Sequence, residues 1–136
     1  MTEKSIEIMA KTIYGEARGE YWKPNCGEKS LIAVGNVIMN RHNQSGESIK
    51  NVCLKPRQFS CWNPSDPNRR LIENPPNADP IYVICLVLSE KLIDLKIPDI
   101  THGANHYYSK TAKTVPYWAI GLSPVFEVGN HVFFKI

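Results

Sequence analysis

A chain of 136 residues with 43% hydrophobic content carries enough apolar material for one core, so a single domain spanning residues 1–136 is expected. With 16 Lys and Arg against 13 Asp and Glu, the net charge of +3 favours approach to an anionic surface but is too weak to indicate nucleic acid. No apolar run approaches the ~18 residues of a membrane span, and charges at Glu3, Lys4, Glu7 and Lys11 break up the N-terminal segment, so neither a membrane span nor a secretory leader is read here.

Taken from the N-terminus, Ile6, Met9, Ala10, Ile13 and Ala17 recur at the i, i+3, i+4, i+7 spacing of a buried helical face. That helix leads into Tyr14-Gly15-Glu16-Ala17-Arg18-Gly19-Glu20, where the two glycines are expected to turn the backbone. Glu16 lies one position off the apolar stripe, near the helix end. A carboxylate so placed is held by a rigid element while its head sits at the edge of the core, partly out of water. Desolvation disfavours the charged form of an acid, which is the condition a general acid needs near neutral pH. The plainer alternative is a solvated charge at a helix terminus, and the flanking glycines and aromatics weigh against it. Glu20 would share the face of Glu16 if the helix continued, but Gly19 interrupts it, and the competing reading is an ion pair with Arg18 or Arg41.

Tyr21–Cys26 contains Pro24 and reads as a loop. A second helix is expected from Gly27 to Arg41, and its stretch Leu31–Met39 is apolar on nearly every side, the mark of a central buried helix. Gly35 within it costs about 1 kcal/mol relative to Ala, so close helix packing is expected there. From Lys55 to Pro80 the chain carries Pro56, Pro64, Pro67, Pro75, Pro76 and Pro80, which excludes long regular structure. The embedded Arg57, Phe59 and Trp62 argue for an ordered loop facing a ligand. The close basic pairs Lys55/Arg57 and Arg69/Arg70 read as solvated surface or the rim of a cleft.

Asp79-Pro80 is a helix start, with Asp as N-cap and Pro in the first turn. The third helix, Ile81–Leu95, presents Ile81, Ile84, Cys85, Leu88 and Leu92 as its apolar face. After the polar turn Thr101–Asn105, the run His106-Tyr107-Tyr108 enters the core or a cleft, and strand alternation lets only one of the two tyrosines face that cleft. Val125–Val128, Gly129-Asn130 and His131–Phe134 form a C-terminal hairpin signal. The fold class expected is therefore α+β, mainly helical with a small C-terminal β-hairpin. Cys26, Cys53, Cys61 and Cys85 allow three complete pairings and form no CxxC motif; without an export signal all four are expected to be reduced thiols.

The segment around Glu16 resembles the opening motif of the SleB-like cell wall hydrolases, a family of spore-cortex and phage-type peptidoglycan-cleaving enzymes. Gln58-Phe59-Ser60-Cys61-Trp62-Asn63 is similar to that family's second block and Ala104-Asn105-His106-Tyr107-Tyr108 to its third. Trp118-Ala119 with Gly129-Asn130-His131-Val132-Phe133 resembles its closing segment. The blocks follow in the family's order and cover nearly the whole chain. The resemblance implies a lysozyme-like fold that cleaves the glycan strand of peptidoglycan, with Glu16 at the position of the family's general acid. A monomer is expected to act on glycan strands outside the cytoplasmic membrane, as a mature fragment or by release through a route such as a phage holin.

Cleavage of a β-1,4 glycosidic bond needs an acid for the departing oxygen and a group that satisfies the oxocarbenium-like centre. No second carboxylate stands out: Asp66, Asp79, Asp94 and Asp99 sit in proline-rich or helix-terminal contexts that explain them. That shortage, like the resemblance, favours a lytic transglycosylase over a hydrolytic muramidase. Glu20, Gln58, Ser60, Trp62, Tyr107, Tyr108 and Trp118 are the expected substrate contacts, through hydrogen bonds or through sugar stacking on the indoles. The competing enzyme is a Cys/His amidase or endopeptidase using Cys26 or Cys61 with His106. The competing binder is a wall-binding module that would survive loss of Glu16. His106, His131 and Cys61 lack a close zinc-ligand spacing, so no metal and no cofactor is expected.

Overall fold

The computed structural model describes residues 3–56, 58–75 and 79–136; Arg57 and Pro76 of the loop discussed above lie outside them. Among the described residues five helices come first: α1 (Glu3–Ala17), α2 (Glu28–Ser45), α3 (Ile49–Leu54), α4 (Arg69–Glu73) and α5 (Pro80–Ile93). A small antiparallel sheet follows, made of β1 (His106–Ser109), β2 (Phe126–Val128) and β3 (His131–Phe134). Three 3-10 turns, at Arg18–Glu20, Ser60–Trp62 and Tyr117–Ala119, connect these elements. The fold is α+β, mainly helical and lysozyme-like, as expected.

The core is built around α1, which packs against each of the other four helices. Met9, Ala10, Ile13 and Ala17 of its apolar stripe are fully buried. In α2, Leu31, Ala33, Val34, Val37 and Ile38 have no exposed surface, which makes it the central buried helix its sequence describes. Gly35 lies against Leu92, Ile13 and Met9, so α2 approaches α1 and α5 closely at the one position without a side chain. Asp79 caps α5 by accepting the Ile81 N–H at 2.9 Å, and its other oxygen accepts the Tyr14 hydroxyl of α1.

Several boundaries differ from expectation, each for a local reason. Gly15 does not turn the chain. It lies within α1, which continues through Glu16 to Ala17. α2 runs past Arg41 to Ser45, since no breaker intervenes before Gly46. α3 was not expected; Ser48 starts it by accepting the Asn51 N–H at 3.1 Å. Among its described residues the proline-rich segment holds one short helix, α4, and one 3-10 turn, in keeping with the exclusion of long elements. α5 starts at Pro80 and stops at Ile93, two residues short of Leu95.

The hairpin is one part of a larger sheet. β2 and β3 pair with Phe126 opposite Phe133 and Val128 opposite His131. β1 then adds to the other edge of β3, with His106 opposite Phe134 and Tyr107 opposite Phe133. The order β1-β3-β2 puts the buried strand His131–Phe134 in the middle. Its residues divide between two apolar groups. Phe133 joins the main core, while Val132 and Phe134 pack with Ala119, Tyr108 and Trp118 in a smaller cluster.

Candidate active site

Glu16 occupies the last turn of α1, and three sequence-distant donors converge on it. The Tyr107 hydroxyl of β1 donates to Oε1. The Cys61 backbone N–H donates to Oε2 at 3.0 Å, and the Ser60 hydroxyl approaches the same oxygen at 3.4 Å. The carboxylate is thus fixed from both sides, by the sheet and by the 3-10 turn, with no cation within ion-pair distance among the described residues.

The close approach of the 3-10 turn depends on Gly15. A Cβ at this position would lie 2.7 Å from the Cβ of Cys61 and 2.8 Å from Cγ2 of Ile72, distances that real side chains do not tolerate. One turn earlier, the buried Thr12 hydroxyl accepts the Trp62 indole N–H at 2.8 Å. Gly15 and Thr12 together seat Ser60–Trp62 on α1, and that seating aims the Cys61 N–H at Glu16. On the other side, Tyr107 is held by its register with Phe133 and by ring packing on Phe133 and His131 at centroid distances of 5.3 and 5.0 Å. Burial, and then the charge and hydrogen bond of Glu16, push the Tyr107 phenol well above its ordinary value, so it stays a donor.

Glu16 lines an open groove of about 400 Å³ together with Gly15, Arg41, Gln58, Ser60, Asn68, Tyr107, Tyr108, Ser109 and His131. It is the only carboxylate among these lining residues. Five of the eight residues singled out from the sequence therefore share one surface: Glu16, Gln58, Ser60, Tyr107 and Tyr108. The other three stand elsewhere. Trp62 packs behind the 3-10 turn, its indole N–H taken by Thr12 and the Arg69 guanidinium 5.8 Å from its ring. Trp118 lies behind Tyr108, 6.1 Å from its ring and 5.0 Å from that of His106, in the small apolar cluster.

Glu20 is not among the residues that line the groove. It pairs with Lys23 at 2.6 Å, not with Arg18 or Arg41, and its other oxygen accepts the Asn130 N–H at 2.6 Å. Gly129, at φ 57°, leaves room for this contact, since a Cβ there would meet Glu20 Oε1 at 2.5 Å. Both tyrosines border the groove, which differs from strict alternation. Tyr107 reaches it from the main-core side of the sheet and Tyr108 from the side of the small cluster, with the cleft at their junction.

Residues that the sequence reading did not place here are Arg41, Asn68, Ser109 and, outside a metal role, His131. Arg41 donates through Nε to the Asn105 carbonyl at 2.7 Å, and its guanidinium carbon lies 4.9 Å from the centroid of Phe59. Burial lowers its pKa, against an upward pull from nearby Tyr107 and Glu16. Asn68 accepts Arg18 Nη2 at 2.8 Å and so ties the α4 end of the groove to the 3-10 turn that follows α1. Burial also lowers the His131 pKa, against an upward pull from Glu20 and Glu16, and the ring forms part of the groove wall. The one signal in the sequence is that Arg41 follows the apolar run Leu31–Met39, with Val37 and Ile38 one turn before it on the same helix.

The thiols are poorly suited to nucleophilic work. All four cysteines are free and buried. Burial, with the Glu16 carboxylate adding to it, drives the Cys61 thiol far above the ordinary range, and burial pushes Cys53 and Cys85 up to about 12. His106 meets Asn105 Oδ1 at 2.9 Å through Nδ1. Among the described residues no three His, Cys, Asp or Glu side chains come together as a metal site, and no helix is long and apolar enough to cross a membrane.

Comparison with known proteins adds three findings. Residues 26–134 match the family model described as cell wall hydrolase, a stretch that begins after Glu16. Two curated relatives, both named spore cortex-lytic enzyme, are each 25% identical to the chain. The one from Halalkalibacterium halodurans aligns over 97% of the chain and 35% of its own length, and the one from Oceanobacillus iheyensis over 98% and 42%. The chain therefore spans well under half the length of either relative. Among solved structures, the catalytic domain of the germination-specific lytic transglycosylase SleB from Bacillus anthracis superposes with a TM-score of 0.70 at 23% identity, covering 99% of this chain and 97% of that one.

Proposed function

The chain belongs to the SleB-like cell wall hydrolase family, and from that premise we propose that it cleaves the glycan strand of peptidoglycan at the β-1,4 bond between N-acetylmuramic acid and N-acetylglucosamine, as a lytic transglycosylase with Glu16 as its single acid and base. The observation that carries the reading is a lone carboxylate on the groove wall, fixed at both oxygens by donors from opposite sides.

In the first step Glu16 in its acid form delivers its proton to the glycosidic oxygen as the C1–O bond breaks, releasing the N-acetylglucosamine-side chain as an alcohol. In the second, the Glu16 carboxylate takes the proton of the muramoyl 6-hydroxyl as O6 bonds to C1. The product is a 1,6-anhydro-muramoyl end, the acid is regenerated, and no water enters the balance. A hydrolytic route would need a second carboxylate ~5–9 Å across the cleft, and the lining residues supply none. The Tyr107 hydroxyl, the Cys61 N–H and Ser60 hold the carboxylate in place through both proton transfers, and Gln58, Tyr108 and Ser109 offer polar groups along the path of the strand.

The test is Glu16→Gln on purified sacculi. An amide keeps the shape of the acid but delivers no proton, so glycan cleavage is expected to fall ~10²-fold or more with the melting transition retained. A folded variant that keeps more than about a tenth of the activity would remove Glu16 from the chemistry.

A further inference from the structure

Beside the groove, and sharing Arg41 and Gln58 with it, lies a second cavity of about 290 Å³ whose walls include Gln44, Glu47, Lys55 and His106. Its charges are unevenly matched. Lys55 and Glu47 neutralise each other at 3.1 Å. Burial and the neighbouring Arg41 hold the His106 pKa below its ordinary value, which disfavours a second positive charge here. The Arg41 guanidinium remains. Among the described residues no carboxylate pairs with it and its buried Nη1 finds no hydrogen-bond partner, while its Nε is spent on the Asn105 carbonyl. Phe59 holds its plane. A guanidinium fixed in this way is a pre-organised fork for a carboxylate, because the cost of ordering and desolvating it has been met by the fold.

The position of the cavity suggests which carboxylate. A glycan strand lying in the groove is linear, so any substituent on a sugar must leave sideways, and this cavity adjoins the groove at Arg41 and Gln58, which line both. The substituent that distinguishes a muramoyl residue from a glucosaminyl one is its lactyl ether, which carries a carboxyl group, either free or extended into a peptide that itself bears carboxylates. We propose that this side cavity is the subsite for the carboxylate borne on the lactyl arm of a muramoyl residue, with the Arg41 guanidinium as its partner and Gln44 and Gln58 as flanking hydrogen-bond groups. The assignment rests on the glycan-cleaving reading and names the part of the substrate that sets the register of the cut.

The test measures binding separately from turnover. Three soluble glycan fragments of equal length are titrated calorimetrically into the Glu16→Gln protein: one with a free lactyl carboxylate, one with that carboxylate converted to a primary amide, and one carrying a stem peptide. The carboxylate-bearing fragments are expected to bind about tenfold more tightly than the amide. The added variant Arg41→Gln is expected to abolish that preference. Lys55→Gln, at an exposed position, is expected to reduce it about twofold and serves if the Arg41 variant does not fold. A preference shown only by the free lactyl form assigns the anion to the lactyl group, and one shown only by the stem-bearing form assigns it to the peptide. Equal binding of amide and carboxylate fragments, or no binding of any, overturns the subsite. Wild-type protein that shows the carboxylate preference yet cuts none of the fragments overturns the enzymatic reading and leaves the subsite standing.

Discussion

Glu16 and Glu20 are one helical turn apart in sequence and have opposite surroundings. Glu16 lies in the last turn of α1 on the groove side, with neutral donors on both oxygens and, among the described residues, no cation paired to it. Glu20 ends the 3-10 turn that follows, with an ammonium on one oxygen and a backbone N–H of the β2–β3 turn on the other. A carboxylate whose charge is matched within the protein anchors structure. One whose charge is left to the groove is available to a substrate. The difference arises because α1 gives way to a 3-10 turn after Ala17, which swings Glu20 from the face of Glu16 toward the sheet.

The sharpest way to break this contrast is to loosen Glu16 without touching it. Tyr107→Phe removes a charge-assisted hydrogen bond worth about 1.5–3 kcal/mol and leaves the ring packing on Phe133 and His131 in place. Glycan cleavage is expected to drop about ten- to a hundredfold in steady-state assays, with near-native circular dichroism. Activity within twofold of wild type would show that the sheet does not position the acid.

Gly15→Ala attacks the other support. The added methyl must displace Cys61 or Ile72, so a loss of about 1–3 kcal/mol in urea unfolding is expected. Activity should fall further than stability alone accounts for, because the turn that moves carries the Cys61 N–H and Ser60.

Glu20→Gln should do the reverse. Loss of the Lys23 pair is expected to cost about 1 kcal/mol, while the folded variant keeps its turnover. Burial works to raise the Glu20 carboxyl, but Lys23 and the Asn130 N–H outweigh it and hold the group below the ordinary carboxylate value. Its contribution is therefore complete above that value and disappears as pH falls through the depressed folded one, below about pH 4. Thermal melts across this range should show a shallower acid limb in Glu20→Gln than in wild type. The thiols should likewise stand outside the chemistry: Cys26→Ser or Cys61→Ser should leave specific activity of folded protein within about threefold, since burial keeps Cys61 protonated and a stability cost of about 1–3 kcal/mol acts on the folded fraction only. Loss of turnover in a folded sample would revive a thiol peptidase.

What could be read from the sequence was whatever local pattern controls. The stripe on α1, the apolar run of α2, the Asp79-Pro80 start and the Gly129-Asn130 turn each depend on neighbours within a few residues. The addition of β1 to the edge of β3 was not legible, since it pairs residues about 25 apart through side-chain packing that no period reports. The role of Gly15 was misread for the same reason: its value lies in the approach of Cys61, 46 positions away, and not in its own backbone freedom. Trp62 and Trp118 looked like sugar platforms because an indole carries no local sign of which side will be covered. Glu20 found Lys23 and Asn130, and only the fold brings the latter near.

The central claim is that one carboxylate serves as acid and then as base, with the substrate's own hydroxyl as nucleophile. Mass spectrometry of sacculi digested in heavy-oxygen water reads this directly. New 1,6-anhydro-muramoyl ends with no heavy oxygen incorporated during cleavage are expected. Reducing muramoyl ends labelled with heavy oxygen, or freed stem peptides with intact glycan, would contradict it.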